Sequence, residues 1–174
     1  SITASFDPKP DGWVFGEGLR VDLYVNDITY QRMQDALAQL PTADGPLERL
    51  RDVCTGAASA AQADAVSIDD WHNTALNPSQ RRAVREAVAT DDVHLIRGPP
   101  GTGKTTTAVE VLLQCVDRGE SVLATAASNT AVDNVVEFLV EQGADVVRLG
   151  HPARVTPMLH AHTLDAQIED HETY

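Results

Sequence analysis

Lysine is almost absent from this chain. Lys9 and Lys104 are the only two lysines among 174 residues, and 26 Asp and Glu against 13 Lys and Arg give a formal net charge of −13 at pH 7. This balance excludes the strongly basic surface that proteins binding nucleic acids usually present. The aspartates are spread along the chain rather than gathered into a run, which argues against a disordered acidic tail. We interpret the charge as the solvating acidic surface of a protein from a halophilic organism.

Cysteine and long apolar runs are equally scarce. Cys54 and Cys115 are far apart in the chain, and neither has a partner at the spacing of a metal site. The simplest interpretation is two buried thiols in a reducing cytoplasm. No apolar stretch approaches the ~20 residues that cross a membrane, so we expect no membrane partner. Because the chain begins with Ser1 rather than methionine, we expect it to be part of a longer protein.

One segment, residues 98–107 (GPPGTGKTTT), matches the pattern of a phosphate-binding loop with no position stretched. Glycines allow the backbone to turn so tightly that successive N–H groups point at a phosphate. Lys104 supplies a positive charge for the β and γ phosphates of a nucleoside triphosphate, and Thr105 offers its hydroxyl to Mg²⁺. We expect Lys104 and Thr105 to be the catalytic pair. The nucleotide-binding residues predicted in this segment are Gly98, Pro99, Pro100, Gly101, Thr102, Gly103, Lys104, Thr105 and Thr106.

The neighbours of the loop have the context that this pattern requires, a strand before it and a helix after it. Residues 93–97 form a short, mostly apolar run that suits a buried parallel strand. After the loop, apolar residues recur at helical spacing from Val109 to Val116, and Gly119 ends the helix. Sequence, strand and helix therefore agree on a site that binds a nucleoside triphosphate with Mg²⁺.

Strands and helices alternate from Trp71 onward, which predicts an α/β fold with a parallel sheet. Further strands are expected at residues 122–126 and 146–149. The helix between them should begin with a capping box made by Thr130 and Asp133. The pattern weakens after residue 150, where we expect a loop and a short helix.

The N-terminal part of the chain has a different pattern. Apolar and polar residues alternate within residues 13–25, which predicts strands at the end of a small β domain. Two amphipathic helices follow, the first stopped by Pro41 and the second opened by Pro46. The domains expected are the end of a β domain in residues 1–27, a helical hairpin and linker in residues 28–70, and the first part of a nucleotide-binding domain in residues 71–174.

Asn77 and Gln80 lie at the start of the helix that precedes the loop strand. With Asn77 as the cap, Pro78 at the first helical position and Gln80 at the third, they make an ordinary helix start. The amide of Gln80 also carries both a donor and an acceptor, which suits the edge of adenine. From the spacing alone, helix capping and base recognition are equally good interpretations of Gln80.

Five stretches of the chain resemble superfamily 1 helicases. The residues that carry the resemblance are 26–33 as the start of a stalk, Asn77, Gln80, Ala83 and Val84 as the Q motif, 98–107 as motif I, 128–134 (SNTAVDN) as motif Ia, and 148–154 (RLGHPAR) as the segment after it. The last stretch is similar to one branch, which contains the nonsense-mediated-decay helicase, senataxin and the immunoglobulin mu-binding protein helicase. The stalk residues favour the mu-binding type. The resemblance covers nearly the whole chain and is weakest in residues 1–18 and 55–70.

The resemblance implies a RecA-like ATPase domain whose parallel sheet is incomplete within this chain. The end of a small β-barrel and a helical stalk would precede it. The cofactors would be ATP and Mg²⁺, with Asn77 and Gln80 at the adenine and residues 98–106 around the phosphates. The missing C-terminal RecA-like domain of the same protein would be a partner. The intact protein would be a 5′-to-3′ helicase on DNA or RNA.

Three consecutive residues, Ser128, Asn129 and Thr130, would by the same resemblance contact the backbone of a single nucleic-acid strand. The residues alone favour a plainer interpretation, in which Asn129 caps the helix. This chain also has Ala127 where the family usually has proline, so the backbone is less constrained there. The nucleic-acid contacts therefore depend on the resemblance.

The acids needed for hydrolysis are missing from the chain. In this family an Asp-Glu pair at the end of a later strand helps to hold Mg²⁺ and orients the attacking water. No apolar strand that ends in paired acids follows Leu149. We therefore expect the chain to bind ATP and to hydrolyse it poorly or not at all.

Two other classes of function compete with the helicase. One is a small-molecule kinase or another triphosphatase with the same loop, and the other is a regulatory nucleotide-binding module. Gln80 and the Ser128-Asn129 pair favour the helicase over the first class. The start at Ser1 and the incomplete sheet argue against the second, because unpaired sheet edges are unfavourable.

Overall fold

The computed structural model of this chain describes residue 12 and residues 27–61, 66–150 and 154–170. The chain divides into two units, Ser1–Glu48 and Arg49–Tyr174. The strands predicted within residues 13–25 lie outside the described residues. The helices are α1 (Asp27–Gln39), α2 (Gly45–Thr55), α3 (Pro78–Ala89), α4 (Lys104–Asp117), α5 (Asn129–Glu141) and α6 (Leu164–Asp170), with 3₁₀ helices at Leu40–Thr42 and Pro157–His162.

The two helices predicted before residue 57 are confirmed, with their ends at the prolines. α1 ends at Gln39, and Pro41 lies in the short 3₁₀ helix that follows. Proline lacks the N–H that would continue an α-helix, so the helix stops here. α2 begins at Gly45 with Pro46 in its first turn, where a missing N–H costs nothing. The boundary between the two units falls within α2, and the three-part domain division stays a prediction.

α3 and α4 pack together around an apolar cluster. Ile68, Leu76 and two valines of α3, Val84 and Val88, are buried, and Cys115 of α4 packs against them. Burying a side chain of this size stabilises a fold by about 1.5–3 kcal/mol. Since Leu76 lies immediately before Asn77, the N-cap of α3, this cluster fixes both the start of α3 and the body of α4.

α4 packs on α5 through a second cluster. Val109 and Leu113 of α4 are buried with Leu139 of α5. Val136, on the neighbouring face of α5, packs with Val155 and Leu159 in a third cluster that includes the 3₁₀ helix Pro157–His162. The loop and short helix predicted after residue 150 are therefore present in the described residues, and Val155 and the 3₁₀ helix pack against α5.

The start of α5 differs from the prediction. Ser128, not Thr130, is the N-cap, and its hydroxyl accepts a hydrogen bond from the Ala131 N–H at 3.2 Å. Asp133 is buried and its Oδ1 accepts from Arg148 Nε at 2.8 Å. The predicted capping box of Thr130 and Asp133 is wrong, because the carboxylate pairs with a distant guanidinium instead of the helix end.

The predicted parallel sheet is not confirmed. In the part of the chain that the structure describes, the segments 93–97, 122–126 and 146–149 form no strand ladder. β pairing within these described ranges is limited to an isolated parallel bridge between Arg148 and Thr163. A strand is defined by hydrogen bonds to the N–H and C=O groups of a neighbouring strand. In the first two of these segments Leu95 and Leu123 are also 86% and 78% exposed. The three segments stay predictions of strands.

The two thiols are in different environments. Cys54 is exposed, so the expectation of two buried thiols is wrong for this residue. Cys115 is half-buried, and burial together with the nearby charge of Glu120 raises the pKa of its thiol. None of the helices within the described ranges combines the length and the apolar character needed to span a bilayer.

Candidate nucleotide-binding site

The phosphate loop turns at two glycines with left-handed backbone. Gly101 has φ 78° and Gly103 has φ 75°, values that are strained for any residue with a Cβ. Gly103 is also the N-cap of α4, so the free N–H groups of the first turn follow the loop directly. The hydroxyl of Thr102 donates to the Pro99 carbonyl at 2.8 Å and closes the turn. This backbone can surround an anion at a helix N-terminus.

Lys104 is exposed and lies against the loop backbone. Its ammonium donates to the carbonyl oxygens of Gly98 at 2.7 Å and of Pro99 at 2.8 Å. An ammonium has three donors, and two of them are used by these carbonyls. The loop therefore holds the one strong positive charge of this segment next to its own turn.

The threonines after Lys104 have different surroundings. Thr107 is buried, and its hydroxyl donates to the Gly103 carbonyl at 3.0 Å, which tightens the first turn of α4. Thr105 is exposed and Thr106 is half-buried. A hydroxyl at the exposed start of a helix is the kind of oxygen that Mg²⁺ takes as a protein ligand beside phosphate oxygens. Thr105 therefore fits the role that the loop pattern predicts for it.

Gln80 joins the start of α3 to the phosphate loop. Its Oε1 accepts from the Asn77 N–H at 2.9 Å, and the Asn77 side chain accepts from the Gln80 N–H at 2.9 Å. This reciprocal pair is the capping box that the sequence predicts. The Nε2 of Gln80 donates to the Thr102 carbonyl at 3.1 Å. Capping and proximity to the site thus occur together, because the amide has a separate atom for each contact.

Two arginines of α3 contact residues 71–76, the segment that leads into this helix. Arg81 donates to the carbonyls of Leu76 at 3.1 Å and of Thr74 at 2.8 Å. The guanidinium groups of Arg81 and Arg85 lie 5.1 Å and 5.2 Å from the centre of the Trp71 ring. Stacking of a guanidinium on an indole is attractive, so these contacts fix the path of the chain before Asn77.

Glu110 holds the same segment from the α4 side, and sequence reasoning did not identify it. Its carboxylate accepts from the backbone N–H groups of His72 at 3.2 Å and Asn73 at 2.9 Å. The signal available in the sequence was an acid within the apolar stripe of α4. An acidic residue at such a position either faces solvent or has partners, and the structure shows that it has partners.

The three residues predicted to contact nucleic acid lie at the start of α5, and all three are exposed. Ser128 caps the helix, so its hydroxyl already has one partner. The side-chain oxygen of Asn129 accepts from Arg148 Nη2 at 3.2 Å. Asn129 is therefore the first residue of α5 rather than its cap, and the capping interpretation of Asn129 is wrong.

Sequence reasoning placed Arg148 in the segment 148–154 that carries the family resemblance, but it did not identify the contacts that this side chain makes. Arg148 is buried, and it contacts Asn129 and Asp133 of α5 as well as the Leu149 carbonyl. Asp133 also accepts from the N–H and the hydroxyl of Thr156, both at 2.9 Å. Burial alone would raise the pKa of Asp133, but the hydrogen bonds from Arg148 and Thr156 hold it below its ordinary value.

The loop, its lysine and the helix that begins at that lysine define a phosphate-binding loop of the P-loop class. Residues 75–173 match the family described as an AAA domain. Because this match spans more than half of the 174 residues, the chain belongs to that family.

Helicases and a DNA-binding protein are among the similar proteins. An uncharacterised ATP-dependent helicase of Methanocaldococcus jannaschii is 42% identical over 99% of the chain, and the match covers 26% of that protein. The DNA-binding protein SMUBP-2 of Mesocricetus auratus is 43% identical over 97% of the chain and 17% of its own length. The DNA polymerase alpha-associated DNA helicase A of Schizosaccharomyces pombe is 39% identical over 84% of the chain and 23% of its own length.

These matches confirm the resemblance to superfamily 1 helicases of this type. The chain spans only about a quarter or less of the length of these relatives.

Proposed function

We propose that this chain is the ATP-binding part of an ATP-dependent helicase that moves 5′ to 3′ along single-stranded DNA or RNA in the cytoplasm. The observation that carries the proposal is the hydrogen bond from Gln80 to the Thr102 carbonyl. It joins Gln80, whose amide suits the edge of adenine, to the loop whose sequence suits phosphates. Helicases that align with nearly the whole chain support the same conclusion.

The roles of the site residues follow from their chemistry. Gln80, with Asn77 beside it, recognises the adenine edge, and residues 98–106 surround the phosphates. Lys104 exchanges its carbonyl partners for phosphate oxygens, because a charged acceptor binds an ammonium more strongly than a neutral one. Thr105 would hold Mg²⁺, and the bound ion would supply charge neutralisation to the transferred phosphate.

The start of α5 provides the surface for a nucleic-acid strand. Ser128, Asn129 and Thr130 are exposed at a helix N-terminus, where free N–H groups favour a phosphate. Contacts of this kind go to the backbone and carry no base code, so they suit a motor that moves along any sequence. The net charge of −13 makes such local contacts important, because the surface as a whole does not attract a polyanion.

Hydrolysis and movement require parts that lie beyond these 174 residues. We propose a RecA-like domain that begins near residue 71, follows a β-barrel and a helical stalk, and pairs with a second RecA-like domain in the same protein. Further strands would complete the parallel sheet and cover Leu95 and Leu123, which are largely exposed. An Asp-Glu pair on one of them would complete the Mg²⁺ site, so the chain alone should bind ATP and hydrolyse it poorly.

Calorimetric titration of the intact protein with ATP and Mg²⁺ tests the proposal. It is best made in molar KCl, because we interpret the net charge of −13 as that of a halophilic protein. We expect Lys104→Ala to abolish binding, whereas Arg118→Ala, which removes an exposed positive charge at the other end of α4, should leave it unchanged. Equal binding by the wild type and Lys104→Ala would refute the site.

Stimulation of ATP hydrolysis by a single-stranded oligonucleotide separates the helicase from its rivals. We expect a large increase with oligonucleotide for the intact wild type. A small-molecule kinase or a regulatory nucleotide-binding module would hydrolyse ATP at the same rate with and without the strand, and that result would refute the motor function.

A further inference from the structure

Glu110 is one of the two most deeply buried large side chains in the described residues, with 1% of its surface exposed. Three N–H donors surround its carboxylate: the backbone N–H groups of His72 and Asn73, and the side-chain amide of Gln114 at 2.9 Å. Burying a carboxylate is costly unless its oxygens are hydrogen-bonded. The contacts offset that cost, and they also require that residues 72–73 lie against α4.

A second set of contacts from α4 holds the same segment. The Gln114 amide also donates to the Asp70 carbonyl at 2.8 Å, and Asp117 Oδ2 lies 2.7 Å from His72 Nε2. Glu110, Gln114 and Asp117 are one turn apart on α4, so this face of the helix binds residues 70–73 along its length.

Residues 70–73 lead along the chain to Asn77 and Gln80, the residues proposed to recognise the base. Leu76 is buried in the cluster between α3 and α4, and Asn77 then caps α3. Asn77 is hydrogen-bonded to Gln80, and Gln80 to Thr102 in the phosphate loop. The loop in turn leads into α4 at Lys104. α4 is therefore connected to the start of α3, where Asn77 and Gln80 lie, in two ways. One connection passes through the phosphate loop and the other through Glu110.

We propose that Glu110 is a positioning residue for base recognition, which sets where Gln80 lies relative to the phosphate loop. This inference rests on the proposed ATP-binding function. A carboxylate suits the position because it only accepts hydrogen bonds, and all three neighbours are donors. In Glu110→Gln, one oxygen becomes an NH₂ group that faces an N–H donor, so residues 72–73 move away from α4. The hydrogen bonds that close the phosphate loop come from Thr102 and Lys104 and do not involve Glu110, so the loop keeps its shape.

The test compares ATP with inorganic tripolyphosphate, which has the phosphates but no base. Both are titrated in the presence of Mg²⁺ into the intact wild type, Glu110→Gln and the control Glu120→Gln, whose side chain is about half exposed. For Glu110→Gln we expect ATP to bind about tenfold more weakly, as expected for one lost buried hydrogen bond, with tripolyphosphate affinity unchanged. The preference for ATP over GTP should fall by the same factor. Glu120→Gln should match the wild type.

Two outcomes would overturn the inference about Glu110 and would not contradict the proposed function. In the first, Glu110→Gln binds ATP as the wild type does. In the second, it loses ATP and tripolyphosphate equally, as a purely structural role would predict. A wild type that binds ATP no better than tripolyphosphate would instead refute the adenine recognition on which the inference rests.

Gln114→Leu serves as a second variant if Glu110→Gln does not fold. It removes the side-chain donor to Glu110 and to the Asp70 carbonyl but keeps the two backbone N–H contacts. We expect the same selective loss of ATP affinity at a smaller size. Equal affinities for ATP in Gln114→Leu and wild type would overturn the inference.

Discussion

Arg148 and Asp133 form a buried ion pair, with Nε and Oδ1 2.8 Å apart and side chains only 4% and 5% exposed. Asp133 lies on the second turn of α5, and Arg148 follows that helix in the chain. Thr156 donates two further hydrogen bonds to the carboxylate. The pair therefore joins three stretches of chain next to the residues proposed to contact nucleic acid.

Removing one partner of this pair should destabilise the protein strongly. In Asp133→Asn the Arg148 charge stays buried without its counter-charge, which costs about 3 kcal/mol of unfolding free energy. Urea unfolding monitored by circular dichroism measures it. The double variant Asp133→Leu with Arg148→Met should recover most of the loss, because no charge is then buried. An effect of Asp133→Asn no larger than that of Glu86→Gln, in the exposed Arg82–Glu86 pair, would contradict the buried pair as a source of stability.

The same carboxylate predicts a pH dependence. The pKa of Asp133 is lower in the folded protein than the ordinary value of about 3.9, so the folded state favours the charged form. Its contribution is complete above the unfolded pKa and is lost as the pH falls through that value towards the folded pKa. Urea midpoints between pH 7 and pH 3 should therefore fall less steeply for Asp133→Asn than for the wild type. If the urea midpoints of the two proteins fall equally steeply, another carboxylate determines the loss of stability at low pH.

A side chain at Gly103 should displace the Gln80 amide, and this effect can be separated from backbone strain. A Cβ at this position would lie 2.6 Å from Gln80 Nε2, and the residue has φ 75°. Gly119 has a similar φ of 80°, but a Cβ added there would meet only open space. Both alanine variants carry the cost of a left-handed backbone, about 1 kcal/mol.

We expect Gly103→Ala to lose ATP binding, while Gly119→Ala loses only stability. Thermal melting and ATP titration of both variants measure the two effects. If Gly103→Ala binds ATP as tightly as Gly119→Ala, the close approach of Gln80 to the loop is not required for the site.

One substitution of Gln80 keeps its hydrogen bond to Asn77 and removes its hydrogen bond to Thr102. In Gln80→Glu a carboxylate oxygen still accepts from the Asn77 N–H, and glutamate is favoured at this place in a capping box. The donor to the Thr102 carbonyl is lost, and two oxygens then face each other. We expect the melting temperature to stay near that of the wild type while ATP affinity falls about tenfold, since one hydrogen bond to the loop is removed.

Gln80→Ala is the comparison for that variant, because it removes both contacts and should lower the melting temperature as well as the affinity. Tight ATP binding by Gln80→Glu would show that Gln80 acts through the helix cap alone. It would leave the base-recognition proposal without its main residue.

Local features of the site could be predicted because they depend on residues within one turn of each other. The capping box of Asn77 and Gln80 and the glycine turns of the phosphate loop need only their own neighbours in the chain. The same holds for the helix end at Pro41. The prediction for Thr130 and Asp133 used the same rule and was wrong, because a buried arginine competed for the carboxylate.

The sequence by itself therefore determined the phosphate loop, the helices around it and the family to which the chain belongs. Only the tertiary structure decided which distant groups meet: Gln80 with Thr102, Glu110 with residues 72–73, and Asp133 with Arg148. A buried polar side chain takes the partner that helix packing brings to it, and its residue type does not specify that partner. The predicted strands depend even more on distant groups, because each must pair along its length with another segment of chain.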